Sequence, residues 1–397
     1  MNAGWKTVKL GDVARYDKAQ GIHSGLPYVG LEHIESGTRK FIGSRSDMEV
    51  HSSTFLFNPN HVLYGRLRPY LRKVLVPDFA GHCSTEIFPI LPSDDLDRSY
   101  LSYWLITEST TGAIDRLCNG ARMPRANMEQ ALELEIPLPP LAEQKRIVAL
   151  LDEAFAGIDE AKAKAVACQE NSKLIFSNYL EAVFEKKGPD WAEVAISELC
   201  DVKHGYAFEG ADFSSDVPDG NPLVVTPGNF TEDGKLCFNS KNSKRLRSNP
   251  PAEFKFNIGD LVVVMTDLSS QMKILGKPAF VETDDLLHNQ RIGRLIFTRE
   301  RVEKRLVYFF MMTQGYLKNI KITSTGTMVK HTAPKRITSN LISFPENRAK
   351  QLAIIAKLDE LRKETQRLAK IHEDKKRALI ELKSSLLSQA FSGELTA

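Results

Sequence analysis

At 397 residues, 42% of them hydrophobic, the chain can bury substantial cores and has the length of two or three domains. Its longest purely apolar run, Leu306 to Met312, is too short to span a bilayer, and MNAGWKTVKLGDVARY contains no apolar signal core, so a cytoplasmic protein without membrane contact is expected. Five scattered cysteines without a C-x-x-C pair indicate neither a disulfide framework nor a zinc site, and 53 basic against 50 acidic residues (net +3) mean that any DNA surface is a local concentration of charge.

Trp5 to Val13 reads as an edge strand followed by a turn of helix. Short β-rich runs follow at Leu26–Ile34, Val62–Tyr64, Arg72–Val76 and Ile87–Leu91, bounded by Gly, Pro, Asn and Asp. Tyr100 to Thr107 is an apolar helix. Ile136 to Phe184 is a long one, with Pro139, Pro140 and Glu143 suited to its start and Gly188-Pro189 to its stop. Its apolar positions Ile147, Leu151, Ala154, Ile158, Ala161, Ala165, Cys168, Ile175, Tyr179 and Ala182 alternate steps of four and three, interrupted at Ser172. That is the narrow seam of a coiled coil.

The second half repeats the first. Asp190 to Leu199 matches the opening, with Trp191 for Trp5; Leu306 to Thr313 matches the apolar helix, with Tyr103/Phe309, Trp104/Phe310, Thr107/Thr313 and Gly120/Gly326 at one offset. From Gln144/Gln351 to Phe184/Phe391 the two long helices align without a gap and share Ile147/Ile354, Leu151/Leu358, Asp152/Asp359, Glu153/Glu360, Ser177/Ser384 and Leu180/Leu387. In the second, Ile354, Leu358, Leu361, Leu368, Leu379, Leu382 and Leu386 hold the phase, with Thr365, His372, Lys375 and Gln389 as polar interruptions. At 1.5 Å per residue each rod is roughly 65 Å long. Two ordinary amphipathic core helices are the alternative.

The predicted fold class is therefore α+β: two similar mixed α/β domains (residues 1–137 and 188–345) and two spacer helices (138–187 and 346–397) forming an antiparallel coiled coil, a pseudo-two-fold internal repeat. Divergent, longer loops in the second block, at Phe208–Asn221 and Thr231–Pro251, imply readers of different targets.

These residues resemble the specificity subunit of type I restriction-modification systems over essentially the whole length. The most specific pieces are IPLPPLAEQKRI at Ile136–Ile147, LLSQAFSGEL at Leu386–Leu395 and the Trp-x-x-Val-x-Leu-x-Asp opening at Trp5–Asp12; ISFPENRAKQLAII departs by placing Glu346 and Asn347 where prolines are usual. The resemblance implies a non-catalytic DNA-binding subunit with two target-recognition domains, each reading half of a split, asymmetric site in double-stranded DNA. It further implies that the rods dock two adenine methyltransferase subunits beside restriction subunits. S-adenosylmethionine, ATP and Mg²⁺ then belong to those partners, and no cofactor to this chain. A coiled-coil adaptor without DNA specificity is the alternative, distinguished by co-purification with a methyltransferase.

The chain's own catalytic motifs are incomplete. Asn249-Pro250-Pro251-Ala252 lacks the aromatic residue that stacks on a flipped adenine in amino-methyltransferases. Pro218-Asp219 with Glu253-Phe254-Lys255 is a chance-level nuclease pattern, Gly276-Lys277 lacks the rest of a P-loop, and His82-Cys83 reads as a buried or loop pair.

Base reading needs paired donors and acceptors, whereas phosphate contacts need only cations and hydroxyls. In the first block the densest basic run, YGRLRPYLRK, supplies Arg66, Arg68, Arg72 and Lys73; a solvated strand-loop-strand is its bland alternative. Arg122 and Arg125 correspond roughly to Lys330 and His331. At the offset of 206 fixed by Gly120/Gly326, His82–Thr85 aligns with His288–Arg291, making Asn289, Gln290 and Arg291 base readers alongside Ser84, Thr85 and Glu86. Lys244, Arg245, Arg247, Gln271 and Lys273 are expected on phosphates.

Overall fold

The computed structural model describes residues 4–47, 50–120, 122–186, 188–209, 212–214, 221–246 and 252–395. Arg247, Pro218-Asp219 and Asn249 to Pro251 lie outside the described residues. Two compact units are present: Met1–Ala167 with His372–Ala397, and Cys168–Ile371.

In the first unit the strand Lys6–Lys9 pairs antiparallel with Glu135–Leu138, tying the start of the block to the residues that lead into the first rod. One four-stranded sheet has the order Ala14–Tyr16, Ile87–Pro92, Val62–Gly65, Val74–Leu75; a second has Gln20–Gly21, Thr54–Phe57, Gly81–Ser84, Tyr28–Val29. Gly81–Ser84 and Ile87–Pro92 thus belong to different sheets, and the turn between them stands where the sheets meet. Leu63, Tyr64, Ile90, Tyr100, Tyr103 and Ile136 are fully buried beneath, together with Leu151 of the rod.

The second unit repeats this plan. Trp191–Ala195 pairs with Leu341–Pro345. One sheet runs Cys200–His204, Ile292–Phe297, Leu261–Val264, Pro278–Phe280, and Leu223–Val225 lies parallel to Leu286–His288 as Tyr28–Val29 does to Gly81–Ser84. The repeat reaches single side chains. Thr107 and Thr313 each cap the next helix by accepting from the amide three residues on, at 3.2 Å in both. Gly120 and Gly326 both have positive φ, 91° and 99°, which only glycine adopts without strain.

Two 45-residue helices, Leu141–Glu185 and Arg348–Ser392, form the rods. In the first unit Ile147, Leu151, Phe155 and Ile158 share a core with Leu387 and Ala390; in the second Leu180 shares one with Ile355 and Leu358. The start of each rod therefore packs on the end of the other, and the pair is antiparallel. The seam departs from the predicted one in the second half of the first rod. Cys168 is exposed and Ile175 and Tyr179 are 51% and 39% exposed, whereas Ser172 and Leu180 are buried and Phe176 and Val183 pack against the core. The stripe shifts by one position after Ser172, because Phe176 and Phe184 offer larger apolar surfaces, with Phe309 and Phe310 as ring partners at 6.4 and 5.5 Å. Ser172 is tolerated inside since its hydroxyl donates to Cys168 O at 2.8 Å. In the second rod Leu382 is 47% exposed and Thr365 is buried, its hydroxyl donating to Leu361 O.

Candidate nucleic-acid interface

The turn after Gly81–Ser84 and the turn after Leu286–His288 are built alike, and their hydrogen bonds give the residue equivalences. Arg66 N donates to Glu86 O and Met265 N to Arg291 O, both at 2.9 Å; Ala126 N donates to Arg66 O and Thr332 N to Met265 O, again at 2.9 Å. Gly65 pairs with Ile87 and Val264 with Ile292. Glu86 is thus the counterpart of Arg291, Ser84 of Asn289 and Cys83 of His288. The offset between the turns is 205, one less than the sequence alignment used, so His82–Thr85 does not superpose on His288–Arg291. Each buried residue before its turn also bonds the same carbonyl: Cys83 Sγ with Ile87 O at 3.6 Å, His288 Nε2 with Ile292 O at 2.8 Å.

This equivalence changes two expected roles. Ser84 Oγ accepts from Glu86 N at 3.2 Å and Asn289 Oδ1 accepts from Arg291 N at 3.0 Å, so the first residue of each turn locks the loop. Asn289 is only 8% exposed. The outward positions are Thr85 and Glu86 in one unit, and the exposed Gln290 and Arg291 in the other.

Around Glu86 the first unit gathers two arginines. Arg125 Nε donates to Glu86 Oε1 at 2.8 Å, and Arg66 Nε lies 3.8 Å from Oε2. An arginine held through Nε keeps its two terminal amino groups for a partner in front of it. Arg68, at φ 54°, is exposed, and its amide donates to Pro124 O; Arg122 is exposed nearby in sequence. The rest of the basic run turns away. Lys73 Nζ donates to Leu31 O and Ile34 O, at 2.5 and 3.0 Å, and Arg72 lines a crevice with Gly37, Ile158 and Leu379. Both departures from expectation follow from the turn Pro69–Leu71, flanked by left-handed Arg68 and Arg72, which reverses the chain between the two pairs of cations.

In the second unit Thr266 and Asp267 pair with His331 and Lys330, the counterpart of the bridge between Leu67 and Arg125. Thr266 Oγ1 and His331 Nδ1 are 3.0 Å apart, and Lys330 Nζ donates to Gly326 O. Gln271 is exposed beside this strand pair in the segment after Asp267, and Lys273 lies 3.6 Å from Glu232. Lys244 is exposed, while Arg245 donates to Asn221 O at 2.5 Å and is half-buried. Three residues escaped the sequence reading. Tyr206, 42% exposed, donates its amide to His288 O and accepts from Gln290 N, with Phe254 at 5.3 Å; Leu268 and Met328 are 63% and 80% exposed. Only Tyr206 carried a signal, an aromatic next to a glycine in a polar loop. Burial pushes the His288 imidazole down to about 4, keeping it neutral beneath the turn.

Residues 2–166 match the family model described as type I restriction modification DNA specificity domain. The chain is 32% identical over 162 residues to the type I restriction enzyme EcoDI specificity subunit of Escherichia coli, an alignment covering 39% of this chain and 36% of that protein. It thus spans about a third of that relative's length. It is 22% identical over 349 residues to the MjaVIII specificity subunit of Methanocaldococcus jannaschii, covering 81% and 78%. A chain in the solved structure of a type I R-M system, described in terms of complex assembly and conformational transition, superposes with a TM-score of 0.82 over 99% of this chain and 98% of that one, at 20% identity; this likeness concerns the fold.

Proposed function

We propose that this chain, whose residues 2–166 match the type I restriction modification DNA specificity domain and which is 32% identical over 162 residues to a type I specificity subunit, is the non-catalytic, sequence-specific DNA-binding subunit of a type I restriction-modification complex. Residues 1–137 and 188–345 are the two readers of a split, asymmetric site in double-stranded DNA. Spacer helices 138–187 and 346–397 hold the readers a set distance apart and dock two methyltransferase subunits, to which restriction subunits add. S-adenosylmethionine, ATP and Mg²⁺ belong to those partners.

The observation that carries this reading is one scaffold used twice with different outward side chains: Thr85 and Glu86, clamped by Arg66 and Arg125, against Gln290 and Arg291. A donor fork such as Arg291 suits guanine, and a carboxylate accepts from a cytosine amino group. Arg122 and Arg68 in the first reader, and Lys330, His331, Gln271, Lys273, Lys244, Arg245 and Arg247 in the second, supply the phosphate contacts that hold register.

Methylome sequencing of the host with and without this gene is the test. Adenine methylation at a bipartite motif with unlike halves should vanish with the gene. Loss of a continuous palindrome, or no loss at all, sinks the reading.

A further inference from the structure

The two turns are alike in their hydrogen bonds but not in what flanks them. Ser84, which opens the first turn, pairs with Thr54, a buried residue whose hydroxyl lies 2.9 Å from His23 Nδ1 and 3.0 Å from His82 Nδ1. Its counterpart Asn289 pairs instead with Tyr206, which is exposed. In the first unit that flank is closed by a small side chain whose polar atom is already engaged. The second unit opens it with a phenol, so the plan shared by the two units does not call for an aromatic residue there.

Tyr206 is held on every side but the outer one. Its amide donates to His288 O at 2.8 Å and its carbonyl accepts from Gln290 N at 2.9 Å, so its main chain grips the turn before and after Asn289. Gly205 permits this approach, since a Cβ at that position would lie 2.3 Å from His288 O. The ring meets Phe208 edge to face at 5.0 Å and Phe254 at 5.3 Å. Phe208 is itself buried with Val224, Leu246 and Leu287, so one of these walls belongs to the core. Two rings against a side chain with only two torsions leave it few rotamers. Its hydroxyl makes no hydrogen bond among the described residues, and it stands next in the ladder to Gln290 and Arg291, the outward residues of the turn.

We propose that Tyr206 is a specificity-determining residue of the second reader, its hydroxyl bonding a base edge beside those met by Gln290 and Arg291. This rests on the DNA-reading assignment. A phenol both donates and accepts, so it suits a ring nitrogen or carbonyl oxygen as well as an amino group. The ordering that a side chain must undergo to meet a base is already imposed on Tyr206 by Phe208 and Phe254, so little rotamer freedom is lost on binding.

Competition gel shifts test this with the full chain in the complex purified from its host, the methylome-defined duplex, and versions of it substituted at one base pair at a time. Tyr206→Phe removes the hydroxyl and keeps the ring against Phe208 and Phe254. Discrimination at one base pair should fall roughly three- to tenfold in this variant, the worth of one neutral hydrogen bond, with every other position within about twofold of wild type. Unchanged discrimination throughout, a loss shared equally by cognate and scrambled duplexes, or a relaxation spread over the whole motif overturns the proposal and leaves the DNA reading standing. If the wild type itself shows no preference for the motif, the DNA reading fails and the role of Tyr206 fails with it.

Discussion

A few side chains carry the same task in both units. Gln144 and Gln351, both buried, bond in the same pattern: each amide nitrogen donates to Asp95 O and Pro139 O, or to Arg301 O and Pro345 O, while each side-chain oxygen accepts from Asp97 N or Glu303 N. Asp152 and Asp359 each accept a guanidinium, from Arg39 at 2.8 Å and from Arg305 at 2.6 Å. The turns proposed to read DNA instead differ side chain by side chain, and there substitutions should alter specificity. Arg291→Ala should cost roughly 1–3 kcal/mol of DNA binding and relax preference at one base pair, whereas Lys244→Ala should weaken cognate and scrambled DNA alike. Equal losses for Arg291→Ala in competition gel shifts would remove its base contact. His288 gives a second residue-scale expectation. Its folded value, lowered to about 4 from 6.5, means that the unfolded chain binds the proton first as pH falls. Its stabilising contribution is complete above about 6.5 and lost as pH falls toward 4, on the order of 3 kcal/mol in all. Denaturant unfolding at pH 7 and 4.5 should show part of this loss in the wild type and less in His288→Cys, the side-chain type standing at Cys83.

At the scale of the element, the rods are held by their ends as much as by their seam. Gln144→Ala strands Asp97 N and two carbonyls, and should cost roughly 2–4 kcal/mol in denaturant unfolding; Gln351→Ala should match it, since the bonds are the same. The stripe itself is checked by neighbours. Phe176→Ala should destabilise by about 3 kcal/mol, while Ile175→Ala, one position earlier and half exposed, should stay within about 0.5 kcal/mol of wild type. A larger effect at Ile175 would restore the unshifted seam. Sequence periodicity located both rods, because a 3.6-residue repeat is a local property, but the first helix starts at Leu141 and not at Ile136, since Glu135–Leu138 is drawn into a strand against Lys6–Lys9. Periodicity missed the one-residue shift, because Ile175 and Phe176 are both apolar and only the partner surface decides which turns inward.

For the molecule as a whole, the proposed assignment of two readers on one plan predicts modular specificity. Replacing residues 1–137 with the matching segment of a relative should change one half of the methylated motif and leave the other half and the gap unchanged, as methylome sequencing reads directly. A change in both halves would mean that the readers act as one surface. The duplication, the α+β class and the two rods are legible along the chain, since repeats and apolar periods are local patterns; the correspondence at the turns is not, because the alignment there is one residue out of register with the hydrogen bonds. Tertiary structure alone decided which polar residues gather. Arg66, Glu86 and Arg125 come from three segments and meet because Val62–Gly65, Ile87–Pro92 and Arg125-Ala126 run side by side, while Lys73, eight residues from Gly65 in sequence, is drawn to Leu31 O. The main-chain carbonyls of Leu31 and Ile34 outbid solvent for that ammonium, and no local pattern along the chain records where they lie.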